Sequence, residues 1–181
     1  MSETTAIIKR KICLLGAFAV GKTSLVQRFV NDRFSDKYLT TVGISVSQKQ
    51  MPPMRSNPSD DPVQHTFLIW DIAGLEKFDP VVMNYFRGAS GALAVGDVTR
   101  GNTAVELKAI CNKFLSINPE AALVTIGNKI DLAPDGGESV SDLEQLASDN
   151  GSELILASAK TGQGVTDAFQ LLSRKIALFN A

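Results

Sequence analysis

Short apolar runs rich in β-branched residues alternate along the chain with longer stretches whose apolar positions recur every three or four residues. The short runs lie at Lys11–Leu15, Gly43–Gln50, Val63–Asp71, Ala92–Asp97, Leu123–Asn128 and Glu153–Ser158, and each has the length of a strand. Between most of them the pattern is helical. Leu25, Val26, Phe29 and Val30 make one face after Lys22, and Val105, Leu107, Ile110, Phe114 and Leu115 make another. Leu143, Leu146 and Ala147 mark a third helix, with Ser141 as its expected N-cap and Asn150-Gly151 as its stop. The last runs from Val165 to Phe179, with Val165, Phe169, Leu172, Ile176 and Phe179 along one face. This alternation predicts an α/β fold: a six-stranded, mostly parallel sheet with helices on both faces.

Two neighbouring runs have no helix between them. The segment Met51–Pro62 that joins them holds four prolines. Proline cannot donate a ladder hydrogen bond, so residues 52–62 read as a proline-rich hairpin loop closing an antiparallel pair, one strand of which lies at the sheet edge. The plain reading of the loop is a tolerated surface insertion.

Composition narrows the picture without adding chemistry. The 181 residues are 44% hydrophobic and 20% charged, an ordinary balance for one globular domain over 1–181. Eighteen basic against nineteen acidic residues leave a net charge of −1, which argues against a nucleic-acid partner or a polybasic membrane surface. No apolar run approaches the ~20 residues of a membrane helix. Met1–Thr5 has no signal core, Ser2 stands where myristoylation needs glycine, and Leu178–Ala181 offers no cysteine for prenylation. The expectation is a cytoplasmic monomer with no direct membrane anchor in this chain. Cys13, Cys111 and the single His65 are too few for a disulfide scaffold or a zinc site. Cys13 reads as core, Cys111 as a helix-face residue and His65 as a solvated or satisfied strand residue.

The chemistry begins where Lys11–Leu15 runs into Gly16-Ala17-Phe18-Ala19-Val20-Gly21-Lys22-Thr23 and a helix follows. This is G-x-x-x-x-G-K-T in the strand–loop–helix context it needs. Glycines let backbone N–H groups fold around a polyphosphate, and the helix N-terminus adds the positive end of its dipole. Lys22 would neutralise β- and γ-phosphate oxygens, and the Thr23 hydroxyl would ligate Mg²⁺. Asp71 closes the strand of Leu68-Ile69-Trp70-Asp71-Ile72-Ala73-Gly74. Alone it reads as a helix cap; beside a phosphate loop it reads as a metal-organising carboxylate acting through a water. Gly74 would let its N–H approach the γ-phosphate closely.

Asn128-Lys129-Ile130-Asp131 follows the fifth strand. Asp131 is spaced to accept two hydrogen bonds from a ring N–H and an exocyclic amine, which guanine presents and adenine lacks. Asn128 can hold the loop and reach the purine N7, while the Lys129 stem covers the ring. In Ser158-Ala159-Lys160, the Ala159 N–H would meet the guanine carbonyl oxygen.

With these motifs in order, the chain resembles the Ras superfamily of small GTPases, most closely its Rab-like branch, from about Lys9 to Phe179. Thr40-Thr41-Val42-Gly43-Ile44 is similar to a first switch, and Tyr85-Phe86-Arg87-Gly88-Ala89 to the Rab-like end of a second. The resemblance implies a P-loop NTPase G domain that binds GTP or GDP with Mg²⁺, hydrolyses GTP, and switches two loops over roughly 32–42 and 73–87. It places Gly16, Ala19, Val20, Gly21, Lys22, Thr23 and Ser24 around the phosphates, with Tyr38 closing over them. Phe34, Asn128, Lys129, Asp131, Ser158, Ala159 and Lys160 would surround the base. Thr23, Thr41 and (through water) Asp71 would serve Mg²⁺, and Lys22, Thr41, Gly74 and position 75 would serve catalysis. Effectors, exchange factors or activating proteins would dock through Ile44, Val46, Trp70 and Tyr85. On the residues alone, Phe34 reads equally as a core residue ending the first helix, and Trp70 also reads as a buried support of the sheet.

Departures from the family pattern matter as much. Leu75 stands where a glutamine usually orients the attacking water. Phe18 occupies a position normally Gly or Ser, near an incoming arginine finger. Val46 replaces a usual Phe, residues 52–62 lengthen a loop, and the sequence stops just after the last helix, short of a lipid-modified tail. Leu75 and Phe18 together predict slow hydrolysis. The rival expectation is a non-cycling, predominantly GTP-bound interaction module. An ATP-using kinase or transporter subunit fits the phosphate loop but not Asp131.

Overall fold

The structure is a computed structural model describing residues 5–37, 41–55, 61–73 and 80–179. Its strands are β1 (Ala6–Leu15), β2 (Ile44–Gln50), β3 (Val63–Ile72), β4 (Gly91–Asp97), β5 (Ala122–Asn128) and β6 (Leu154–Leu156). Its helices are α1 (Lys22–Asn31), α2 (Pro80–Asn84), α3 (Thr103–Ile117), α4 (Val140–Asp149) and α5 (Val165–Phe179). The strands form one sheet in the order β2-β3-β1-β4-β5-β6. Only the β2–β3 pair is antiparallel. The six strands, the antiparallel edge and the helices on both faces are as the alternation predicts.

Period-two alternation assigns the side chains to two cores. Ile12, Leu14, Leu93 and Val95 face one side with Leu25 and Val26 of α1 and Phe169, Leu172 and Ile176 of α5. Cys13, Leu15, Ala92 and Ala94 face the other with Leu107, Ile110 and Phe114 of α3 and Leu143 and Leu146 of α4. Every residue of β4 and β5 is therefore buried, as in central strands covered on both faces. Cys111 lies inside that second core, with its thiol, like that of Cys13, pushed up to about 12 by burial. Both thiols are unreactive packing groups.

Several boundaries differ from the sequence reading. β1 starts at Ala6, earlier than Lys11, because β3 supplies a ladder from Ala6↔Val63 onward that local hydrophobicity does not report. The cap position of α4 is Ser139, not Ser141, and its hydroxyl donates to the Asp97 carbonyl at 2.9 Å. The antiparallel pairing runs on past Gln50 into the proline-rich loop, where Met54 and Val63 exchange backbone hydrogen bonds of 2.8 and 2.7 Å. His65 is the satisfied rather than the solvated alternative: it is buried, and its Nδ1 lies 2.9 Å from Ser173 Oγ on α5.

Candidate functional site

The strand ends carrying the polar motifs gather at one edge of the sheet. Leu15 of β1, Asp71 of β3, Asp97 of β4 and Asn128 of β5 all lie at carboxyl ends, where chains leave toward opposite faces. That reversal opens a crevice in a doubly wound sheet. Here it is a cleft of about 620 Å³.

The loop at the end of β1 is shaped by its glycines. Gly16 has φ 149°, and a Cβ there would sit 2.4 Å from the Val95 carbonyl oxygen. Gly21, the N-cap of α1, has φ 101°, and a Cβ would sit 2.3 Å from Asn128 Nδ2. A side chain at Gly16 would push the loop off the sheet backbone, and one at Gly21 would displace the Asn128 amide. The first turn of α1 contains no acidic residue and no side-chain cap, and the N-terminus of such a helix favours an anion. Lys22 Nζ folds onto the loop, donating to the carbonyls of Gly16 at 2.7 Å and Ala17 at 3.0 Å.

Below the loop, three oxygen-bearing side chains from different elements converge. Thr23 Oγ1 and Thr41 Oγ1 are 2.6 Å apart, Thr23 Oγ1 donates to Asp71 Oδ2, and Thr41 Oγ1 reaches the same oxygen at 3.5 Å. Asp71 is buried, and its second oxygen, Oδ1, has no hydrogen-bond partner among the described residues. A buried acceptor without a donor is costly. Two hydroxyls and one carboxylate, one of whose oxygens is orphaned, suit a hard cation that keeps its own waters, and Mg²⁺ is that ion.

At the other end of the cleft, Ser158 Oγ donates to Asp131 Oδ1 at 2.6 Å. Asn128 is buried and used at both ends: Nδ2 donates to the Val20 carbonyl at 2.9 Å and Oδ1 accepts the Ala159 N–H at 3.1 Å. The Ala159 N–H, expected to face a base, is thus directed at Asn128, the acceptor within reach of a buried donor. Gly16, Val20 and Ser158 stand behind the cleft wall. Ala19, Gly21, Lys22, Thr23, Ser24, Phe34, Thr41, Asn128, Lys129, Asp131, Ala159 and Lys160 line it. Phe34 combines both readings, lining the cleft while packing partly buried against the α1–α5 core. Tyr38, Gly74 and Leu75 lie outside the described residues.

Three supporting residues escaped the sequence reading. Arg28 of α1 donates to the carbonyls of Ala159 at 3.0 Å and Lys160 at 2.6 Å. Asp97 pairs with Lys129 at 2.6 Å and Arg100 at 3.2 Å. Burial pushes the Asp97 carboxyl up, but Lys129 and Thr99 outweigh it and hold the group below its ordinary 3.8. Placement was the available signal, since Asp97 ends a strand just as Asp71 and Asn128 do.

Beside the cleft, Val46 lies opposite Trp70 in the β2–β3 ladder. Trp70 is half-buried, 6.2 Å from Tyr85 between ring centroids, with Lys11 Nζ 4.1 Å above its ring. Val46 is 52% exposed, leaving an apolar position beside the aromatic pair.

A model of the Ras family matches residues 11–178 of this chain. The Ras-related protein Rab-31 of Homo sapiens is 35% identical over 172 residues, covering 94% of this chain and 85% of that protein. The Ras-related protein Rab-22A of Mus musculus is 33% identical over the same shares. The GTP-binding protein ypt5 of Schizosaccharomyces pombe is 32% identical over 178 residues, covering 97% and 82%. No helix among the described residues is long and apolar enough to cross a membrane.

Proposed function

Since the chain belongs to the Ras family, in its Rab-like branch, and binds GTP or GDP with Mg²⁺ as a small GTPase switch, we propose that it is a single G domain over 1–181 whose GTP hydrolysis is slow. The observation that carries the site assignment is the meeting of Thr23, Thr41 and Asp71 beneath Lys22, with the orphaned Asp71 Oδ1 among them. In this reading Lys22 and the α1 N-terminus hold the β- and γ-phosphates, and Thr23, Thr41 and water-linked Asp71 hold Mg²⁺, which neutralises charge on the phosphates. Asp131, aimed by Ser158, reads the base, and the Lys129 stem covers it.

Slow turnover follows from two side chains. Leu75 has no polar atom with which to orient a water, and Phe18, 55% exposed at the cleft mouth, occupies the space an arginine finger would enter. Partners that distinguish the nucleotide states dock, in this reading, on Ile44, Val46, Trp70 and Tyr85. The same two residues also favour the second reading, a non-cycling GTP-bound interaction module. Chromatography of nucleotide released from the freshly purified protein separates them. GDP is expected for a slow but cycling switch, GTP for an arrested one, and adenine nucleotide in either place would overturn both.

A further inference from the structure

Asp97 lies at the end of β4, in register with Asn128 at the end of β5. Its side chain is 1% exposed, and both of its oxygens are engaged. Oδ1 accepts from the Thr99 N–H at 3.0 Å and the Thr99 hydroxyl at 2.7 Å. Oδ2 lies 2.6 Å from Lys129 Nζ and 3.2 Å from Arg100 Nε. Each cation also donates to the phosphate loop. Lys129 Nζ donates to the Ala19 carbonyl at 2.8 Å, and Arg100 Nη2 donates to the Phe18 carbonyl at 2.9 Å. Ala19 (φ 62°) and Lys129 (φ 70°) are both non-glycine residues in the left-handed region, so a direct hydrogen bond joins two backbone positions that need outside support.

We infer that Asp97 is a positioning residue for nucleotide retention: through Lys129 and Arg100 it clamps the carbonyls of Ala19 and Phe18, so that the phosphate loop and the base loop release only together. The inference rests on the cleft holding guanine nucleotide. Two consequences of losing the carboxylate oppose each other. The two cations left unpaired beside the phosphate loop would, by charge alone, tighten a polyphosphate. Freed from Asp97, they also lose the geometry that holds Phe18 and Ala19, and Lys129 loses its fixed path along the base. Position prevails here, because both cations already spend donors on the carbonyls of the loop.

The test is the rate at which the full chain, loaded with Mg²⁺ and fluorescent GDP or a fluorescent GTP analogue, releases label into excess unlabelled nucleotide. Asp97→Asn is expected to release both about tenfold faster, the order for losing a charge-assisted hydrogen-bond pair. Arg100→Ala should speed release severalfold alone and add nothing in the Asp97→Asn background, a coupling that mere loss of stability would not produce. Lys108→Ala, which breaks a surface pair with Asp149, should leave release unchanged. Equal or slower release from Asp97→Asn overturns the inference, and so does full additivity of the two substitutions. If Asp97→Asn fails to fold, Arg100→Ala decides, and unchanged release from it rejects the clamp. A wild-type chain that retains no guanine nucleotide brings down the cleft reading and the clamp together. Retention by wild type with unaltered variants brings down the clamp alone.

Discussion

Ser158 Oγ donates to Asp131 Oδ1 across 2.6 Å, joining a loop after β6 to a carboxylate after β5. Asp131 is exposed in the open cleft, so the hydroxyl, rather than surrounding protein, gives the carboxylate its direction. With the Ala159 N–H engaged by Asn128, base selection in the proposed reading rests mainly on Asp131.

GTP should therefore outcompete ATP by about 10⁴-fold, as a site built around a specific donor pair rejects a ligand lacking it. Asp131→Asn should move the preference toward xanthine nucleotides, and Ser158→Ala should lower guanine affinity about tenfold by freeing the carboxylate. Competition binding checks all three. Comparable ATP and GTP affinities would refute the assignment of Asp131.

Hydrolysis should respond to residue 75. A glutamine amide both donates to and accepts from groups around an attacking water, so its value is greatest in the transition state. Leu75→Gln is expected to raise the single-turnover rate, most clearly with Phe18→Gly, and Phe18→Gly should restore the response to an arginine finger, an effect on the order of 10³–10⁵. A wild-type rate equal to that of Leu75→Gln would mean that another group positions the water.

Trp70 is half-buried beside Tyr85 and under Lys11, and in the proposed reading its remaining face meets partners. Truncating such a residue at an interface typically costs ~2 kcal/mol or more. Trp70→Ala is expected to abolish GTP-dependent partner capture while nucleotide affinity stays within a few-fold of wild type. An unfolded Trp70→Ala protein would instead make Trp70 a support of the sheet; calorimetry alongside the binding assay distinguishes the two.

Buried His65 makes stability depend on pH. Burial, and then the Arg10 charge, lower its pKa from 6.5, so the unfolded chain binds the proton more readily than the folded one. The contribution is fully present above 6.5 and is lost as pH falls through the folded value. The melting temperature should drop as pH is taken from well above to well below 6.5, and His65→Gln should flatten that drop. Parallel curves for the two proteins would exclude His65 as the cause.

By itself the sequence determined the strand–helix alternation, the antiparallel edge and the phosphate loop, and it proposed the base-reading segment, because each is written in neighbouring residues whose spacing sets the local backbone. Gly16 and Gly21 were legible for the same reason, and so was Asp71 once the phosphate loop stood beside it. The tertiary structure decided what depends on pairs far apart in the chain. β1 reaches back to Ala6 because β3 lies beside it, and His65 is satisfied only because Ser173 of α5 arrives over it. The two-ended use of Asn128, the grip of Arg28 on Ala159 and Lys160, and the clamp of Asp97 on Lys129 and Arg100 were likewise decided there. A buried polar group must find its partner wherever the packed chain places one, and no periodicity in the sequence records that meeting.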